Sequence, residues 1–195
     1  MTRPLPLRTA RLVLRPFAEA DFDGLYAYQS RTDVVRWLYW PPRTADEVRA
    51  LLQRRLGYTA IAGPGDNLAV AVELAATGEL IGDCGLQWID NEHRQGEIGF
   101  IFHPEHQGHG YATEAARELV RIAFEELPLH RVVGRTEARN TASARVLEKL
   151  GMRREAHLVE NEFVKGEWQS ELIYALLDRE WHAAAAAART TAPPG

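Results

Sequence analysis

The spacing of apolar residues changes along the chain between the two-residue period of a strand and the period of about 3.6 residues of a helix, which predicts strands interleaved with helices. Apolar and polar side chains alternate in "RLVLRPF", from Arg11, and indicate a first strand with one solvated face. The next stretch, "AEADFDGLYAY", has helical spacing that places Phe22, Leu25 and Tyr26 on one side. A second helix is expected after Thr44, because Glu47 three residues later completes a capping box.

The middle of the chain predicts three strands and then one long helix. The β-type runs "NLAVAVEL" and "ELIGDCGLQWI" are joined by "AATG", which suits a hairpin, and "GEIGFIFH" follows as a further strand. Apolar residues then recur at helical spacing from Tyr111 to Glu126, and Pro128 ends this helix.

The last third predicts a strand, a short helix and two closing strands. The strand is "RVVGRTEA", and the helix "NTASARVLEKLG" is capped by Asn140 and stopped by Gly151. The closing strands lie near "MRREAHLVENEFV" and "SELIYALLD". The order β-α-α-β-β-β-α-β-α-β-β predicts an α/β (α+β) fold of about seven strands and about four helices, mainly antiparallel in its first half.

Length and composition narrow the class of protein. With 195 residues, we expect one domain over residues 1–182, followed by a low-complexity, alanine-rich tail over 183–195. A net charge of −4 gives no basic excess, so we expect no nucleic-acid partner. The chain has neither a signal-peptide pattern nor the ~20 apolar residues that span a bilayer, so a cytoplasmic protein without a membrane partner is expected. The single cysteine, Cys84, lies in an apolar stretch and is expected to be a buried thiol.

A glycine loop in "HPEHQGHGYATEAA" precedes the long helix. Gly108 and Gly110 have no Cβ, so the backbone can adopt positive φ and a ligand can approach the amides closely. The first N–H groups of a helix lack intrahelical partners and suit a phosphate. Gln107, His109 and Thr113 add polar groups at the rim. The loop lacks both the Gly-Lys-Ser/Thr of a P-loop and the third glycine of a dinucleotide fingerprint, so neither an NTP nor an NAD site is expected.

The same loop carries a resemblance to a known family. The stretch "QGHGYA", from Gln107 to Ala112, matches the Q/R-x-x-G-x-G/A signature of the GNAT N-acetyltransferases. The chain resembles their RimJ/RimL-like subfamily of ribosomal-protein alanine acetyltransferases through "TARLVLRPF", "TGELIG", "EIGFIFHPEHQGHGYATEA", "NTASARVLEKLGM" and "ENEF". The resemblance implies the GNAT fold, with a twisted sheet whose central strands splay, and transfer of an acetyl group from acetyl-CoA to a primary amine by direct attack in a ternary complex.

The resemblance also implies which residues hold acetyl-CoA. Its pyrophosphate would lie on the loop formed by Gln107, Gly108, His109, Gly110, Tyr111, Ala112 and Thr113. The pantetheine arm would pair with backbone groups near Ile101 and Phe102, between the strand ending "FIF" and the strand beginning "RVVG". Asn140 would bind the pantetheine amides. A free N–H near Ile101 and Phe102 would stabilise the oxyanion of the transition state.

Proton transfer is assigned from the same resemblance, with alternatives. The RimL branch implies Glu162 as the base and Ser143 as the donor to the sulfur. Many GNAT enzymes take the base from the strand before the loop, which makes Glu97 the second candidate. Glu162 could instead be a solvated loop residue replaced by Glu160, and Ser143 could only support the helix cap. The short helix offers no tyrosine, which disfavours a tyrosine acid.

Histidines and aromatic residues raise two further questions. His103, His106 and His109 share one loop, but no cysteine or carboxylate completes a zinc signature, so no metal is expected. His106 and His109 are instead expected to flank phosphates or water. Aromatic residues either cover the core as a lid or line an acceptor cleft; the cleft set is Trp37, Tyr39, Trp40, Trp88 and Phe163.

The acceptor is the open part of the prediction. The leading hypothesis is a protein or peptide N-terminal α-amine, and the second is a small amine such as an aminoglycoside, a polyamine or an amino-acid analogue. A CoA-binding sensor that has lost transfer is a third, and succinyl-CoA is an alternative donor. The closing strands "EFV" and "ELIYALL" are expected to build a two-fold homodimer.

Overall fold

The computed structural model describes residues 5–190, and one sheet of eight strands organises them. The strands follow the order β1-β2-β3-β4-β5-β6-β8-β7, and of the neighbouring pairs only β5 and β6 are parallel within this described sheet. Their bounds are β1 (Leu7–Arg8), β2 (Leu12–Arg15), β3 (Asn67–Leu74), β4 (Leu80–Asp90), β5 (Gln95–Phe102), β6 (Arg131–Glu137), β7 (Arg153–Val164) and β8 (Glu167–Leu177).

Helices cover both faces of this sheet. Within the described residues they are α1 (Phe22–Gln29), α2 (Thr32–Val35), α3 (Ala45–Leu56), α4 (Tyr111–Arg121), α5 (Thr141–Lys149) and α6 (Asp178–Thr190). A π-helical turn over Ile122–Glu126 prolongs α4 to the predicted end before Pro128. The capping box at the start of α3 is formed, since the Thr44 backbone N–H donates to Glu47 Oε2 over 2.8 Å and the Glu47 N–H donates to Thr44 Oγ1 over 3.4 Å.

The apolar residues separate into two clusters, one on each face. The larger cluster packs α4 and α5 against the sheet and includes Phe102, Leu119 and Leu147. The smaller cluster packs α1 and α3 against the other face through Leu25 and Leu52, with Ile101 at its edge. Alternate residues of β5 therefore serve different faces, as the period of a strand requires.

The predicted mixed, mostly antiparallel fold is confirmed, with three elements added. The two residues of β1 and the four residues of α2 are too short to give a periodic signal. The third addition is α6, which begins at Asp178 and runs through the alanine-rich stretch as far as Thr190, so the predicted tail is helical up to that point. Residues 191–195 of that predicted tail lie outside the described residues.

The central strands splay at a defined place. The parallel pairing of β5 and β6 begins at Gln95 and Arg131 and ends at Ile98 and Gly134. Both strands continue beyond this point, β5 to Phe102 and β6 to Glu137. On the far sides, β4 still pairs with β5 and β8 with β6. The two strands therefore diverge while each keeps one partner.

Two further expectations concern Cys84 and the membrane. The thiol of Cys84 is buried, and burial is the main cause that raises its pKa well above the ordinary value.

Within residues 5–190, no helix combines the length and the hydropathy that crossing a membrane requires.

The end of β5 predicts a stability difference between two glycines of β4. A Cβ on Gly82 would lie 2.5 Å from the Ile101 carbonyl oxygen and 2.8 Å from the Phe102 ring, whereas a Cβ on Gly85 would meet its nearest atom at 3.5 Å. Because a backbone oxygen cannot move aside, we expect Gly82→Ala to lower the free energy of unfolding by about 1–3 kcal/mol. Urea unfolding measures this, with Gly85→Ala as the matched control. Equal stability of the two variants would contradict the close contact at Gly82.

Candidate active site

A cavity of about 360 Å³ opens where β5 and β6 diverge. It brings together three of the predicted catalytic residues, Glu97, Ser143 and Glu162, although they come from β5, α5 and β7. Asn140 and Ile101 also line it. Of the five predicted acceptor residues, three line it as well, Trp37, Tyr39 and Trp40. Trp88 is instead buried in the core, and Phe163 is exposed beside Trp168. The glycine loop lies at the far end of the gap, directly after β5.

The backbone of β5 alternates between its two neighbours. The His103 N–H donates to the Ile81 carbonyl of β4 over 2.9 Å, and Ile101 pairs with Asp83 of the same strand. Alternation then directs the N–H and C=O groups of Ile101 to β4 and those of Phe100 and Phe102 to the gap. The backbone groups that are free to pair with a ligand in the gap are thus those of Phe100 and Phe102. They lie at the place where pairing near Ile101 and Phe102 was predicted.

The loop is held in place by its own side chains. Gln107 Nε2 donates to the Phe102 carbonyl over 3.0 Å and ties the loop to the end of β5. Gly108 and Gly110 have φ of +79° and +83°, in the region that favours glycine. Arg11, the residue before β2, donates from Nη1 to the His109 carbonyl over 3.0 Å and so fixes the loop from outside.

The N-terminus of α4 carries backbone donors that the helix itself does not use. Gly110 caps it without a side-chain hydrogen bond, and the first intrahelical bond runs from the Glu114 N–H to the Gly110 carbonyl over 3.0 Å. The N–H groups of Tyr111, Ala112 and Thr113 are therefore left over by the helix. The carboxylate of Glu114 is drawn aside by Arg11 at 2.7 Å and by the Thr9 hydroxyl at 2.6 Å.

The loop histidines have partners of several kinds. His106 Nε2 lies 3.1 Å from Glu79 Oε1, and His103 Nδ1 accepts from the Glu105 N–H over 3.4 Å. The His109 ring stacks on Tyr111 with centroids 5.7 Å apart. Across residues 5–190, no group of three or more His, Cys, Asp or Glu side chains is arranged to hold a metal ion.

At the start of α5, Asn140 acts as the cap. Its Oδ1 accepts from the Ser143 N–H over 3.1 Å, which is the usual bond of an asparagine cap. Ser143 therefore takes part in the cap through its backbone, while its side chain belongs to a half-buried residue that lines the cavity.

A bulge in β7 sets the position of Glu162. The register with β8 shifts between Leu158 and Glu162, and inside this bulge Glu160 adopts φ of +48° while its N–H donates to Ser170 Oγ over 2.9 Å. After the bulge, Glu162 pairs with Gln169 and lines the cavity half-buried, whereas Glu160 is exposed.

A network that the sequence analysis missed crosses the cavity. Arg135 Nε lies 3.4 Å from Glu97 Oε2, and its Nη1 lies 3.2 Å from Glu171 Oε2. The Tyr39 hydroxyl donates to the other oxygen of Glu171 over 3.3 Å. Two signals were present in the sequence: Arg135 follows the apolar run "VVG" inside β6, and Glu171 directly precedes the apolar run "LIYALL" of β8.

The network shifts two pKa values. Burial raises the pKa of Glu97, Arg135 opposes this, and the charge of Glu171 adds to the rise. Burial also raises the pKa of Tyr39, and the carboxylates of Glu171 and Glu162 raise it further. The Tyr39 hydroxyl thus keeps its proton and donates a hydrogen bond to Glu171.

A second buried group forms another part of the cavity wall. Asp83 Oδ2 accepts from the Tyr28 hydroxyl over 2.6 Å and lies 2.8 Å from Arg55 Nη1. Asp83 and Arg55 both line the cavity, and Asp83 is only 5% exposed. The charges of Asp83 and Arg55 cancel each other. The three carboxylates of Glu97, Glu162 and Glu171 therefore outnumber the remaining cation, Arg135, and leave the cavity negative overall.

Comparison with known proteins agrees with this architecture. The profile of the Acetyltransferase (GNAT) domain family matches residues 11–153. The chain therefore belongs to the GNAT family and is an acetyl-CoA-dependent N-acetyltransferase.

Three relatives illustrate the range of names within the family. "Uncharacterized N-acetyltransferase YnaD" from Bacillus subtilis is 32% identical over 90% of this chain and 99% of its own. "Putative ribosomal N-acetyltransferase YdaF" from the same organism is 31% identical over 78% of this chain and 82% of its own. The crystal structure of spermidine N-acetyltransferase from Vibrio cholerae, in complex with CoA and spermine, has a TM-score of 0.75 and 25% identity over 89% of this chain and 99% of its own.

The network predicts opposite pKa changes from two substitutions. Arg135→Gln removes the cation that lowers the pKa of Glu97, so this pKa should rise further; Glu171→Gln removes a like charge, so it should fall. A pH titration of labelled glutamate carboxyls by NMR, assigned with Glu97→Gln, measures both. Arg139→Gln is the control, because Arg139 pairs with Glu137 and Glu167. Shifts of the same sign in both variants would contradict the network.

Proposed function

We propose that this enzyme acetylates the α-amine at the N-terminus of a protein or peptide. The observation that carries the proposal is the gap between β5 and β6, which joins a loop of free amides at one end to an acidic, aromatic cavity at the other. Such a gap lets acyl donor and amine meet directly, without a covalent enzyme intermediate.

Acetyl-CoA would bind along the gap by backbone contacts. Its pyrophosphate would accept from the N–H groups at the start of α4 and in the loop of Gly108 and Gly110. Its pantetheine arm would pair with Phe100 and Phe102, whose backbone groups are directed to the gap. Phe100 lines the cavity that holds the carboxylates, so its N–H is the better placed donor for the thioester oxygen. Asn140 would add a side-chain contact at the other edge.

The proton carriers would be Glu162 and Ser143. Glu162 would take the amine proton, directly or through a water, as the amine attacks the thioester carbon and the C–S bond breaks. Ser143 would donate a hydrogen bond to the leaving sulfur. Glu97 is the second candidate base. Burial raises its pKa and makes it a stronger base, whereas its ion pair with Arg135 makes it a weaker one.

A peptide α-amine suits the cavity in two respects. Tyr39 lines the cavity and is 58% exposed, so the cavity opens to solvent there and the rest of a peptide can leave through the opening. An α-amine has an ordinary pKa of about 7.7–8.0, against about 10.4 for a lysine, so a carboxylate base suffices. The ribosomal name of one relative points the same way.

A small cationic amine is the second candidate, and one observation favours it. The carboxylates of Glu97, Glu162 and Glu171 exceed the single positive charge of Arg135 among them. An excess of negative charge attracts a diamine or polyamine, and one structural relative is a spermidine enzyme.

A panel of amines with matched variants tests function and base together. Thiol release from acetyl-CoA is measured with peptides of different first residues, with polyamines and with aminoglycosides. We expect peptide turnover by the wild type and a loss of about 100-fold or more in Glu162→Gln, because a general base contributes about 10²–10⁴-fold. Glu160→Gln, two residues away and exposed, should keep its activity.

Each other outcome has a definite meaning. Turnover of small amines without any peptide would replace the proposed acceptor. Loss in Glu97→Gln but not in Glu162→Gln would move the base to Glu97. Binding of acetyl-CoA with no thiol release on any amine would identify a CoA-binding sensor, and release from succinyl-CoA alone would change the donor.

We also propose a two-fold homodimer through β7. This strand is at the end of the sheet, and exposed apolar residues gather on it and on β8: Leu158, Val159, Phe163 and Trp168 are 39%, 70%, 63% and 59% exposed. The rings of Phe163 and Trp168 meet edge to face at 5.4 Å. An uncovered edge strand with apolar side chains favours pairing with a second copy.

The dimer predicts a response to one surface charge. Val159→Lys should convert a dimer to a monomer in sedimentation velocity at micromolar concentration, because the charge would be buried in the interface. Tyr26→Lys is the control, since Tyr26 is also exposed, at 38%, but belongs to α1. A wild type that sediments only as a monomer would contradict the dimer.

A further inference from the structure

One wall of the cavity is formed by a segment that belongs to no helix or strand. Residues 36–44, called the wall segment below, connect α2 to α3 through turns, bends and irregular backbone. Four consecutive residues of this segment line the cavity: Trp37, Leu38, Tyr39 and Trp40. Since no ladder of backbone hydrogen bonds holds such a segment, contacts of side chains decide how firmly it is placed.

The opposite wall includes the hairpin of β7 and β8, which carries Glu162. The loop that joins these strands consists of Lys165 and Gly166. Both residues have positive φ, +52° for Lys165 and +87° for Gly166. A two-residue loop with positive φ at both positions favours asparagine, aspartate or glycine at the first of them. A lysine in that position is unusual and calls for a reason in its side chain.

The side chain of Lys165 crosses to the wall segment. Its Nζ donates to the Val35 carbonyl over 2.6 Å and lies 3.4 Å from the Arg36 carbonyl. Val35 is the last residue of α2, and the end of a helix leaves carbonyl groups that favour a cation. The Val35 carbonyl also accepts from the Leu38 N–H over 3.0 Å. One oxygen atom thus joins the lysine to a residue that lines the cavity.

A second contact starts from the residue after the same loop. Glu167 Oε1 accepts from Arg139 Nη2 over 2.8 Å, and the Arg139 guanidinium lies over the Trp37 ring at 5.0 Å. Arg139 is itself held by Glu137, at 2.7 Å, at the end of β6. The end of the hairpin therefore holds the wall segment at two places, directly through Lys165 and indirectly through Arg139.

We propose that Lys165 is a positioning residue for the acceptor, because its ammonium group fixes the wall segment relative to the hairpin that carries Glu162. This inference rests on the proposed function, which assigns the acceptor to this cavity. Lys165 does not line the cavity and takes no proton from the acceptor. It acts through the wall segment, whose aromatic side chains contact the acceptor.

The substitution Lys165→Asn separates this role from the stability of the turn. Asparagine tolerates positive φ, so the loop is kept while the ammonium group is lost. With the acceptor that the wild type uses best, we expect KM for the acceptor to rise about 10-fold, because one charge-assisted hydrogen bond that orders the wall segment is missing. The value of kcat should stay the same, as should the Kd of acetyl-CoA measured by calorimetry without acceptor. The midpoint of thermal unfolding should not fall.

Two further variants show whether the cation itself is responsible. Lys165→Arg keeps a cationic donor at the same place and should have the KM of the wild type. Arg94→Asn is the matched control, because Arg94 also has positive φ, +49°, and directly precedes β5 at the end where β5 still pairs with β6. Its KM should be unchanged. Hydrogen exchange of the amides of the wall segment should be faster in Lys165→Asn and unchanged in the other two variants.

The outcomes separate this inference from the proposed function. A wild-type KM for the acceptor in Lys165→Asn overturns the inference and leaves the proposed function intact. A raised KM that Lys165→Arg does not restore, or equal hydrogen exchange in wild type and Lys165→Asn, also overturns the inference alone. Absence of turnover of any amine by the wild type overturns the proposed function and the inference with it.

Discussion

The early end of the pairing between β5 and β6 is the constraint on which the site depends. Two parallel strands lose their mutual hydrogen bonds after Ile98 and Gly134, which leaves polar backbone groups that a folded core does not tolerate without partners. The cost is limited because β4 and β8 hold the outer edges of the two strands, so only one edge of each is open. Gly134 sits where a Cβ would approach Leu147 of α5 to 2.5 Å, so the absence of a side chain lets α5 come close to the point of divergence. The opening is thus built into the sheet, and a ligand that offers an extended polar backbone can complete it.

The two ends of the gap use different physical means to hold opposite charges. At the loop, anion binding would rely on backbone N–H groups and on the helix dipole of α4, while the nearby Glu114 is paired with Arg11. In the cavity, carboxylates carry the charge. Arg135 forms ion pairs with both Glu97 and Glu171 and so reduces the repulsion between them. In the proposed function, an acidic donor and a cationic acceptor would therefore meet from opposite sides with little competition for the same groups.

Local features were predictable from the sequence, and distant contacts were not. The capping box of Thr44 and Glu47, the asparagine cap of α5 and the positive φ of Gly108 depend on residues a few positions apart, and the structure contains them all. The family resemblance supplied the splay, which no hydrophobic pattern encodes. The network that joins Arg135 to Glu171 and Tyr39 spans separations of 36 and 132 residues, so it exists only once the register of β6 and β8 and the path of the segment before α3 are known. The bulge that separates Glu160 from Glu162 likewise arises from pairing and leaves no local signal.

The shared network changes how the two possible bases should be regarded. Glu97 interacts with Glu171 through charge and through their common partner Arg135. Glu162 lies close enough to Tyr39 that its charge, like that of Glu171, raises the pKa of the Tyr39 hydroxyl. The charge on Glu171 therefore raises the cost of a charge on Glu97, and Arg135 lowers it. In the proposed function, a cationic acceptor that enters the cavity would stabilise the charges of Glu97, Glu162 and Glu171 at once, and loss of its proton would remove that stabilisation. The carboxylate nearest to the reacting nitrogen would then take the proton. The other carboxylates would act only through the electric field of their charges on the amine.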